Sequence, residues 1–248
     1  MNKFHIKKIS EINKEKLIEF YQKSFQYEKT LLMDYNWRYR SGYSSYEPLV
    51  LISNNDICGH AGLIPIKIKI NGKKEIATWF TDFFINPEYR LKGYGKLLTK
   101  EWMKICPIQI TICNNQSLKI FNKLNWSHNR KFIRRLKFFN YLKIIPLFRK
   151  LKNTDLINDD LKNLKLIELN NSLIDEIIKL DELELLKKPV GIIRDAEWFI
   201  WRLIDCPYKN NIYIFKFNNT ILITHIKLKR NLKILNIIYS SSPITQNI

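Results

Sequence analysis

Cysteine and long apolar runs are scarce in this chain of 248 residues, and each scarcity excludes a class of protein. The four cysteines are scattered, with no Cys-x-x-Cys pair and no Cys/His set at metal-ligand spacing. We therefore expect neither a disulfide scaffold nor a metal site. Cysteines in or beside apolar runs are most often buried, reduced thiols, which fits a cytoplasmic location. The cysteines in or beside apolar runs are Cys58, Cys106 and Cys113, and the fourth cysteine is Cys206.

No apolar stretch approaches the length that spans a bilayer, and residues 1–8 lack the apolar core of a secretion signal. This also favours a cytoplasmic location. The hydrophobic fraction of 46% and the aromatic fraction of 13% argue against disorder. The length suits one large domain or two small ones.

The charge is strongly one-sided, since 42 lysines and arginines against 23 acidic residues give a net charge of +19. Such a surface favours phosphate-bearing partners, among them acyl-CoA, nucleic acids and anionic membranes. Lysine, asparagine and isoleucine are abundant along the whole chain, however, which indicates a compositional bias rather than one basic patch. No helix-turn-helix, zinc-finger or RNA-binding signature is present, so nucleic acid is only a minor alternative.

Residues 131–149 interleave cations with large apolar side chains, a pattern that is compatible with an anionic membrane surface. The alternative is a closing strand at residues 132–139 followed by a linker helix, and Pro146 would interrupt a long amphipathic helix. We favour this second interpretation. The polar run at residues 153–160 indicates a domain boundary.

The most informative motif is Arg-x-x-Gly-x-Gly, formed by Arg90, Gly93 and Gly95 between a strand-like run and a helix-like run. Glycine lacks a Cβ, so backbone N–H groups here can approach a ligand closely. A helix that begins at such a turn adds unpaired N–H donors and the positive end of its dipole. The motif therefore predicts a pyrophosphate site. Its predicted cofactor-binding residues are Arg90, Leu91, Lys92, Gly93, Tyr94, Gly95 and Lys96.

This motif resembles the phosphate loop of the GNAT superfamily, whose members are acyl-CoA-dependent N-acyltransferases. A second match follows an apolar strand at residues 108–113. Residues 114–126 are similar to the superfamily element Asn-x-x-Ala-x-x-x-Tyr-x-x-x-Gly-Phe. Asn114 takes the Asn position, Ser117 that of the small residue and Phe121 that of the Tyr. Two motifs in the superfamily's order make coincidence a poor explanation.

The resemblance covers residues 1–140 well and the remainder less well. It implies an α/β fold of the GNAT type, with one mixed (α+β) sheet and helices on both faces. It also implies acetyl-CoA, or another acyl-CoA, as the co-substrate. Asn114 and Phe121 are expected to contact this cofactor, and the backbone of Phe84 and Ile85 is expected to pair with its pantetheine arm.

The element order predicted from periodicity agrees with such a fold. A helix is predicted over residues 10–26, with Ser10 as its cap. Asn71-Gly72 between alternating apolar positions is a strong hairpin signal. Strands are further predicted at residues 47–52, 56–63, 64–70, 75–85, 212–217, 221–228 and 233–239, and helices at residues 96–105 and 117–124.

The second half of the chain contains an echo of the first. Trp37-Arg38 precedes the first predicted strand pair, and Trp201-Arg202 precedes a later one. We interpret this as a weak internal repeat, with a GNAT domain at residues 1–150 and a partial GNAT-like module at residues 160–248. The alternative is that the two tryptophans are unrelated core residues. No second Arg-x-x-Gly-x-Gly occurs, so we expect a single cofactor site, in the first half.

Acyl transfer to an amine needs an unprotonated amine, a polarised thioester carbonyl and a proton for the leaving thiolate. Asp82 is the first candidate for the base, because strand alternation places it with Phe80 and Phe84 beside the loop. His60, on the neighbouring strand, is the second candidate. The alternatives are that Asp82 pairs with a nearby cation and that His60 is a hydrogen-bonded core histidine. Phe121 cannot donate a proton, which leaves water or the acceptor ammonium as the acid.

The leading hypothesis is an enzyme, an N-acetyltransferase that moves an acetyl group from acetyl-CoA to a primary amine. The expected acceptor is a small molecule, an amino sugar of a surface polysaccharide pathway. A non-catalytic CoA-binding or scaffold module is the alternative, because Phe121 replaces the usual tyrosine. A tRNA-dependent aminoacyl transferase of similar fold would explain the basic charge, but such an enzyme has no need for an intact CoA loop.

Overall fold

The computed structural model describes residues 4–25, 34–127, 164–217, 220–229 and 232–242. Three features predicted from the sequence lie outside these residues: the strand at residues 132–139, the basic and apolar stretch at residues 131–149, and the boundary at residues 153–160.

The chain divides into two compact units, each built from two separate stretches of sequence. The first unit consists of Met1–Leu124 and Ile174–Lys209, and the second of Asn125–Leu173 and Asn210–Ile248. The predicted division into two consecutive domains remains a prediction.

The helices and strands follow one another in the order expected for a mixed α/β chain. The strands are β1 (Phe4–Lys8), β2 (Leu49–Ser53), β3 (Asp56–Ile70), β4 (Lys73–Ile85), β5 (Gln109–Thr111), β6 (Leu164–Ile167), β7 (Val190–Ile192), β8 (Ile212–Phe217), β9 (Thr220–Lys229) and β10 (Leu232–Ser240). The helices are α1 (Lys14–Ser24), α2 (Tyr35–Arg38), α3 (Tyr94–Ile105), α4 (Asn115–Lys123), α5 (Asn171–Leu186) and α6 (Ala196–Phe199), and a π-helical turn (Ile200–Ile204) follows α6.

The first unit is organised around one mixed sheet, in which β1-β2-β3-β4-β5 are neighbours in that order and β7 pairs with the end of β3. All neighbours are antiparallel except β4 and β5. These two run parallel, from Thr78 opposite Gln109 to Phe80 opposite Thr111. Beyond Phe80, β4 continues for five more residues, to Ile85.

Different helices cover the two faces of this sheet. On one face, Phe20 and Tyr21 of α1 pack against Val50 of β2. On the other face, the Trp102 ring of α3 lies 4.3 Å from the Phe80 ring, measured between centroids. Both faces of the sheet are therefore buried, as the sequence predicts.

The predicted hairpin at Asn71-Gly72 is confirmed, since both residues have a positive φ, of 48° and 85°, as a tight hairpin turn requires. The two strands predicted on its first arm are in fact one strand, β3, of 15 residues. Pro65 does not break it, because β2 pairs with β3 only as far as Ala61 and β7 only from Ile68. The missing N–H of Pro65 therefore removes no ladder hydrogen bond on that edge.

Helix α1 begins later than predicted, and its cap is Asn13 rather than Ser10. The Asn13 side-chain oxygen accepts hydrogen bonds from the N–H groups of Glu15 (2.8 Å) and Lys16 (3.3 Å). Ser10 instead lies in a short 3₁₀ turn, Ile9–Glu11, that precedes the helix. A side-chain oxygen that satisfies two first-turn N–H groups fixes the start of a helix, and Asn is as good a cap as Ser.

A β-bulge interrupts β4 at Asp82, where the register with β3 shifts by one residue and φ of Asp82 is 48°. The bulge breaks the alternation of side chains. Phe83, rather than Asp82, packs beside Phe80, at 5.3 Å between ring centroids, whereas Phe84 packs on Phe20 across the other face. The predicted common face of Phe80, Asp82 and Phe84 is therefore wrong.

The second unit contains a separate antiparallel sheet in the order β10-β9-β8-β6. Three of its strands, β8, β9 and β10, lie where the sequence predicts them. Ile221 and Ile223 of β9 are completely buried, and Ile214 of β8 nearly so. The interpretation of this unit as part of a second GNAT-like module remains a prediction.

Gly62 supplies a test of the packing beside the bulge. A Cβ at this position would lie 2.7 Å from the backbone oxygen of Thr81 and 2.8 Å from the Tyr39 ring. We expect Gly62→Ala to lower the free energy of unfolding by about 2 kcal/mol, because the backbone oxygen cannot move aside. Gly95→Ala is the matched control, since its nearest neighbour is the flexible end of Ile120, at 3.3 Å. Urea unfolding measures both, and equal losses would contradict this account.

Candidate functional site

The predicted phosphate loop lies between β4 and α3, and its backbone has the conformation that an anion site needs. Gly93 has φ of 86° and Leu91 has φ of 61°. Helix α3 begins at Tyr94, two residues before the predicted start, and Leu97 N–H donates to the Gly93 carbonyl at 3.0 Å. The N–H groups of the residues between Gly93 and Leu97 thus precede the helical ladder and form the positive end of the helix.

Two cations belong to this loop. The Arg90 Nε donates to the Ile85 carbonyl at 2.8 Å, and its guanidinium lies 5.4 Å from the Phe84 ring centroid. Lys92 lies near the loop as well, with its Nζ 5.9 Å from the Tyr89 ring. Both predicted cations therefore lie just before α3, and Arg90 is fixed there by a hydrogen bond.

Gly95 has a packing role in addition to its place in the motif. A Cβ at Gly95 would lie 3.3 Å from Ile120 and 3.4 Å from Phe83, so glycine lets α3 approach α4 and the strand closely. The predicted loop contacts with a cofactor remain predictions.

The element at residues 114–126 forms a capped helix. The Asn114 side-chain oxygen accepts from Ser117 N–H at 2.8 Å, and Ser117 Oγ accepts from Asn114 N–H at 3.2 Å. This reciprocal pair fixes the start of α4. Phe121 is only 2% exposed and meets the Phe80 ring edge to face, at 5.6 Å. The structure thus gives Asn114 a capping role and Phe121 a core role, and their predicted cofactor contacts stay predictions.

The pairing of β4 with β5 ends at Phe80 and Thr111, and we call the unpaired edge of β4 beyond it the opening. Thr111 Oγ donates to the Phe80 carbonyl at 3.1 Å, and no described strand pairs with β4 on this side from Asp82 to Ile85. The backbone of Phe84 and Ile85, predicted to pair with a pantetheine arm, lies on this part of β4. An extended ligand can therefore add to the sheet here in the manner of a strand.

Asp82 is held by three hydrogen bonds at the bulge. Arg38 donates from Nε and Nη2 to the two carboxylate oxygens, both at 2.8 Å, and Tyr39 donates its hydroxyl at 2.9 Å. The pairing of Asp82 with a cation, one of the alternatives left open by the sequence, is thus present. A carboxylate accepts about four hydrogen bonds, so these three leave one acceptor position.

His60 lies beneath this pair and is completely buried. Its Nδ1–H donates to the Asp82 backbone oxygen at 2.8 Å, and its Nε2 accepts from the Tyr21 hydroxyl at 2.9 Å. Burial lowers the pKa of His60 to about 4, so the ring is neutral near pH 7. Both ring nitrogens are thus engaged within the core, which is the hydrogen-bonded core histidine that the sequence left open as an alternative, and the role of His60 as a base stays a prediction.

Sequence reasoning missed Arg38, Tyr39 and Tyr21 as parts of this cluster. Arg38 had a signal, the echo between Trp37-Arg38 and Trp201-Arg202, but that signal indicates a repeat rather than a partner for Asp82. Tyr21 belongs to the apolar stripe of α1, and nothing in that pattern distinguishes its hydroxyl from an ordinary core tyrosine.

The two Trp-Arg segments meet in space through a reciprocal pair of hydrogen bonds. Trp37 Nε1 donates to the Trp201 carbonyl, and Trp201 Nε1 donates to the Trp37 carbonyl, both at 2.6 Å. The Trp201 carbonyl is available because the helix widens here: Asp205 N–H donates to Ile200, five residues back, instead of to Trp201. The sequence echo therefore marks a real contact between residues 164 positions apart.

Two further observations concern the described part of the chain as a whole. It holds no group of three or more His, Cys, Asp or Glu side chains that could bind a metal ion. Among its helices, none combines the length and the apolar character that crossing a bilayer requires.

Comparison with known proteins agrees with the loop and α4. Residues 5–127 match the family model of the acetyltransferase (GNAT) domain. These residues form a GNAT domain. No curated protein matches the chain in sequence. The mixed sheet with helices on both faces is accordingly the GNAT fold, as the resemblance implies.

Several solved structures are similar in fold to the chain. Saccharomyces cerevisiae N-myristoyltransferase with bound myristoyl-CoA has a TM-score of 0.56 at 12% identity, covering 96% of this chain and 62% of that one. A GCN5-related N-acetyltransferase from Kribbella flavida has a TM-score of 0.54 at 11% identity, covering 96% and 57%. Arabidopsis thaliana glucosamine-6-phosphate N-acetyltransferase has a TM-score of 0.42 at 18% identity, covering 56% and 99%.

The first two similarities show the fold alone, and the chain spans about three fifths of each of those proteins. Both similarities cover 96% of this chain and so extend well beyond its GNAT domain at residues 5–127, which is consistent with an additional module in this chain.

The buried His60 makes the folded protein less stable as the pH falls. Its pKa is about 4 in the folded protein and 6.5 when unperturbed, so the unfolded chain binds more protons between these values. Stability is therefore lost as the pH falls from about 6.5 towards 4, by up to about 3 kcal/mol. Urea unfolding across this range measures the loss. His60→Gln should remove this part of the slope and the exposed-residue control His5→Gln should not; an unchanged slope in His60→Gln would refute the assignment.

Proposed function

We propose that the chain is an acyl-CoA-dependent N-acyltransferase that transfers an acetyl group to a primary amine. The observation that carries this proposal is the loop before α3, where Gly93 caps the helix with φ of 86° and Arg90 lies three residues earlier. The unpaired N–H groups at such a helix start suit an anion. Membership of residues 5–127 in the GNAT family supports it.

The cofactor fits the first unit in three sections. Its pyrophosphate is held by the N–H groups of the loop from Leu91 to Lys96, with Arg90 and Lys92 supplying positive charge. Its pantetheine arm adds to β4 along Phe84 and Ile85, in the opening where no described strand pairs. The thioester then lies near the bulge, where the interrupted ladder releases backbone N–H groups that can polarise its carbonyl.

Asp82 is the group proposed to receive the acceptor amine. Two of its hydrogen bonds come from the Arg38 guanidinium, which holds the carboxylate in one orientation. The remaining acceptor position suits a hydrogen bond that orients the amine, while water carries the proton away. His60 acts through the backbone of Asp82. The general acid is water or the acceptor ammonium, because the buried Phe121 has no proton to give.

The acetyl group and the amino-sugar acceptor are the finer parts of the proposal. The acetyl group is supported by the description of the matching domain as an acetyltransferase. The similar fold of N-myristoyltransferase, solved with myristoyl-CoA, belongs to an enzyme with a longer acyl group, so chain length is worth testing directly. A non-catalytic CoA-binding module of GNAT fold is the alternative function, and Phe121 is the observation that favours it.

Calorimetric titration of acetyl-CoA, myristoyl-CoA and free CoA tests the cofactor site. We expect micromolar binding of acetyl-CoA and a loss of about tenfold or more in Gly93→Asp, which places a negative charge among the phosphate-binding N–H groups. Gly72→Asp is the matched control. Gly72 has nearly the same φ, 85° against 86°, and nothing lies within 4 Å of a Cβ at either position. Absence of CoA binding by the intact chain, or equal loss in both variants, would overturn the proposal.

Turnover of the Asp82 variant separates the enzyme from the binding module. We expect Asp82→Asn to lower kcat by about a hundredfold while acetyl-CoA binding is kept, because the amine loses its acceptor. His60→Asn should lower the unfolding temperature and leave kcat less affected than Asp82→Asn does. Asp175→Asn, on the exposed surface of α5, is the control for the loss of one charge. Full activity in Asp82→Asn would remove Asp82 from the mechanism, and an absence of turnover in a chain that binds CoA would favour the non-catalytic module.

A further inference from the structure

Arg202 stands out among the arginines of the first unit, because its neighbours are aromatic rings rather than oxygen atoms. Its guanidinium carbon lies 5.0 Å from the Trp201 ring centroid and 5.5 Å from that of Trp37. Among the described residues, no carboxylate and no carbonyl oxygen forms a hydrogen bond or ion pair with it. Burial of the guanidinium lowers the pKa of Arg202, opposed by the Cys206 thiol and reinforced by the charge of Arg38.

The neighbouring arginines each have an oxygen partner of the kind that Arg202 lacks among the described residues. Arg38 has the Asp82 carboxylate, and Arg40, which also lies over Trp201 at 4.7 Å, donates to the Pro65 carbonyl at 3.1 Å. Arg194 lies 5.6 Å from the Trp198 ring and is also paired with Asp181 at 2.8 Å. A desolvated guanidinium without an anion is costly, and a ligand that supplies the anion recovers that cost.

The rings beneath Arg202 are held rigidly. The two reciprocal hydrogen bonds of 2.6 Å fix both indoles, and the Tyr208 hydroxyl beside Trp37 donates to the Asp34 carboxylate. A guanidinium that lies over fixed aromatic faces presents its planar N–H donors in one orientation, which suits a carboxylate or a phosphate.

The position of Arg202 relates it to the acceptor rather than to the cofactor phosphates. Arg38 connects it to the bulge, since Arg38 bonds to Asp82 and lies close enough to influence Arg202 electrostatically. Tyr39 and Asp82 lie on the α1 face of the sheet, whereas α3, whose N-terminus is the proposed phosphate site, packs on the opposite face through Trp102.

We propose that Arg202, on its floor of Trp37 and Trp201, binds an oxyanion group carried by the acceptor amine, a carboxylate or a phosphate. This inference rests on the proposed N-acyltransferase function. It narrows the acceptor to an anionic amine, and it assigns to the Trp-Arg segments a role in selecting it.

Anion titration followed by NMR tests the site without knowledge of the acceptor. Protein labelled with ¹⁵N-tryptophan gives one indole signal for each of the six tryptophans, and Trp37→Phe and Trp201→Phe assign two of them. Inorganic phosphate and acetate are added at constant ionic strength. We expect the Trp37 and Trp201 signals to shift saturably while the other four do not. The anion that binds more tightly indicates whether the acceptor carries a phosphate or a carboxylate. The shifts should weaken about tenfold or more in Arg202→Gln and persist in the exposed-residue control Lys100→Gln.

Three results would overturn the proposal: no saturable shift in the intact protein, equal shifts in Arg202→Gln, or similar shifts at all six tryptophans. Should Arg202→Gln not fold, Arg202→Lys serves, because it keeps the charge but loses the planar donors, and its binding should still be weaker. Acetyl-CoA titration of the same variants separates this outcome from the proposed function, since Arg202→Gln should bind acetyl-CoA as the intact chain does.

A matched acceptor series then identifies the anion during turnover. Glucosamine, glucosamine 6-phosphate and 2-amino-2-deoxyglucuronic acid differ only at the sixth carbon, which carries a hydroxyl in the first, carries a phosphate in the second and is the carboxylate carbon in the third. We expect one of the two anionic sugars to be acetylated with the higher kcat/KM, and this advantage to disappear in Arg202→Gln. Preference for neutral glucosamine, or an advantage kept by Arg202→Gln, would contradict the proposal. If none of the three accepts the acyl group, the anion titration alone decides.

Discussion

The ion pair between Arg38 and Asp82 joins two parts of the chain that are 44 residues apart in sequence. One partner belongs to the short helix α2, and the other sits at the bulge of β4 with φ of 48°, a conformation that a non-glycine residue rarely adopts. Two parallel hydrogen bonds to one carboxylate fix both its position and its orientation. The strained backbone is thereby held in place, together with the His60 bond to the same residue's carbonyl.

Much of the candidate site depends on that constraint. The bulge interrupts the β3–β4 ladder just beyond the last residue pair of β4 and β5, so the last residues of β4 pair with β3 alone among the described strands. Gly93 of the predicted phosphate loop lies eight residues after Ile85, so the end of β4 positions the loop. The two ends of the proposed site therefore differ in kind: backbone N–H groups would form its phosphate end, whereas side chains from distant segments would form its acceptor end.

This difference explains what the sequence could reveal. The phosphate end is local, since Arg90, Gly93 and Gly95 lie within six residues and need only a strand before them and a helix after them. The Asn71-Gly72 hairpin was predictable for the same reason. The bulge was not, because the partner of the Asp82 carboxylate is Arg38, which lies 44 residues away in sequence. Strict alternation therefore misplaced Asp82, and the start of α1 was misplaced because Ser10 and Asn13 are both acceptable caps.

The hydrogen bond from Trp37 to the Trp201 carbonyl depends on the widened turn at Ile200–Ile204. A π-helical turn accommodates one residue more than an α-helical turn would, and that extra residue frees the carbonyl to which Trp37 donates. Deleting a single residue in this segment would close the turn, return the carbonyl to the helix and rotate Arg202 away from its aromatic floor. Chain length in one helical turn, rather than residue identity alone, thus decides whether the two halves of this unit recognise each other.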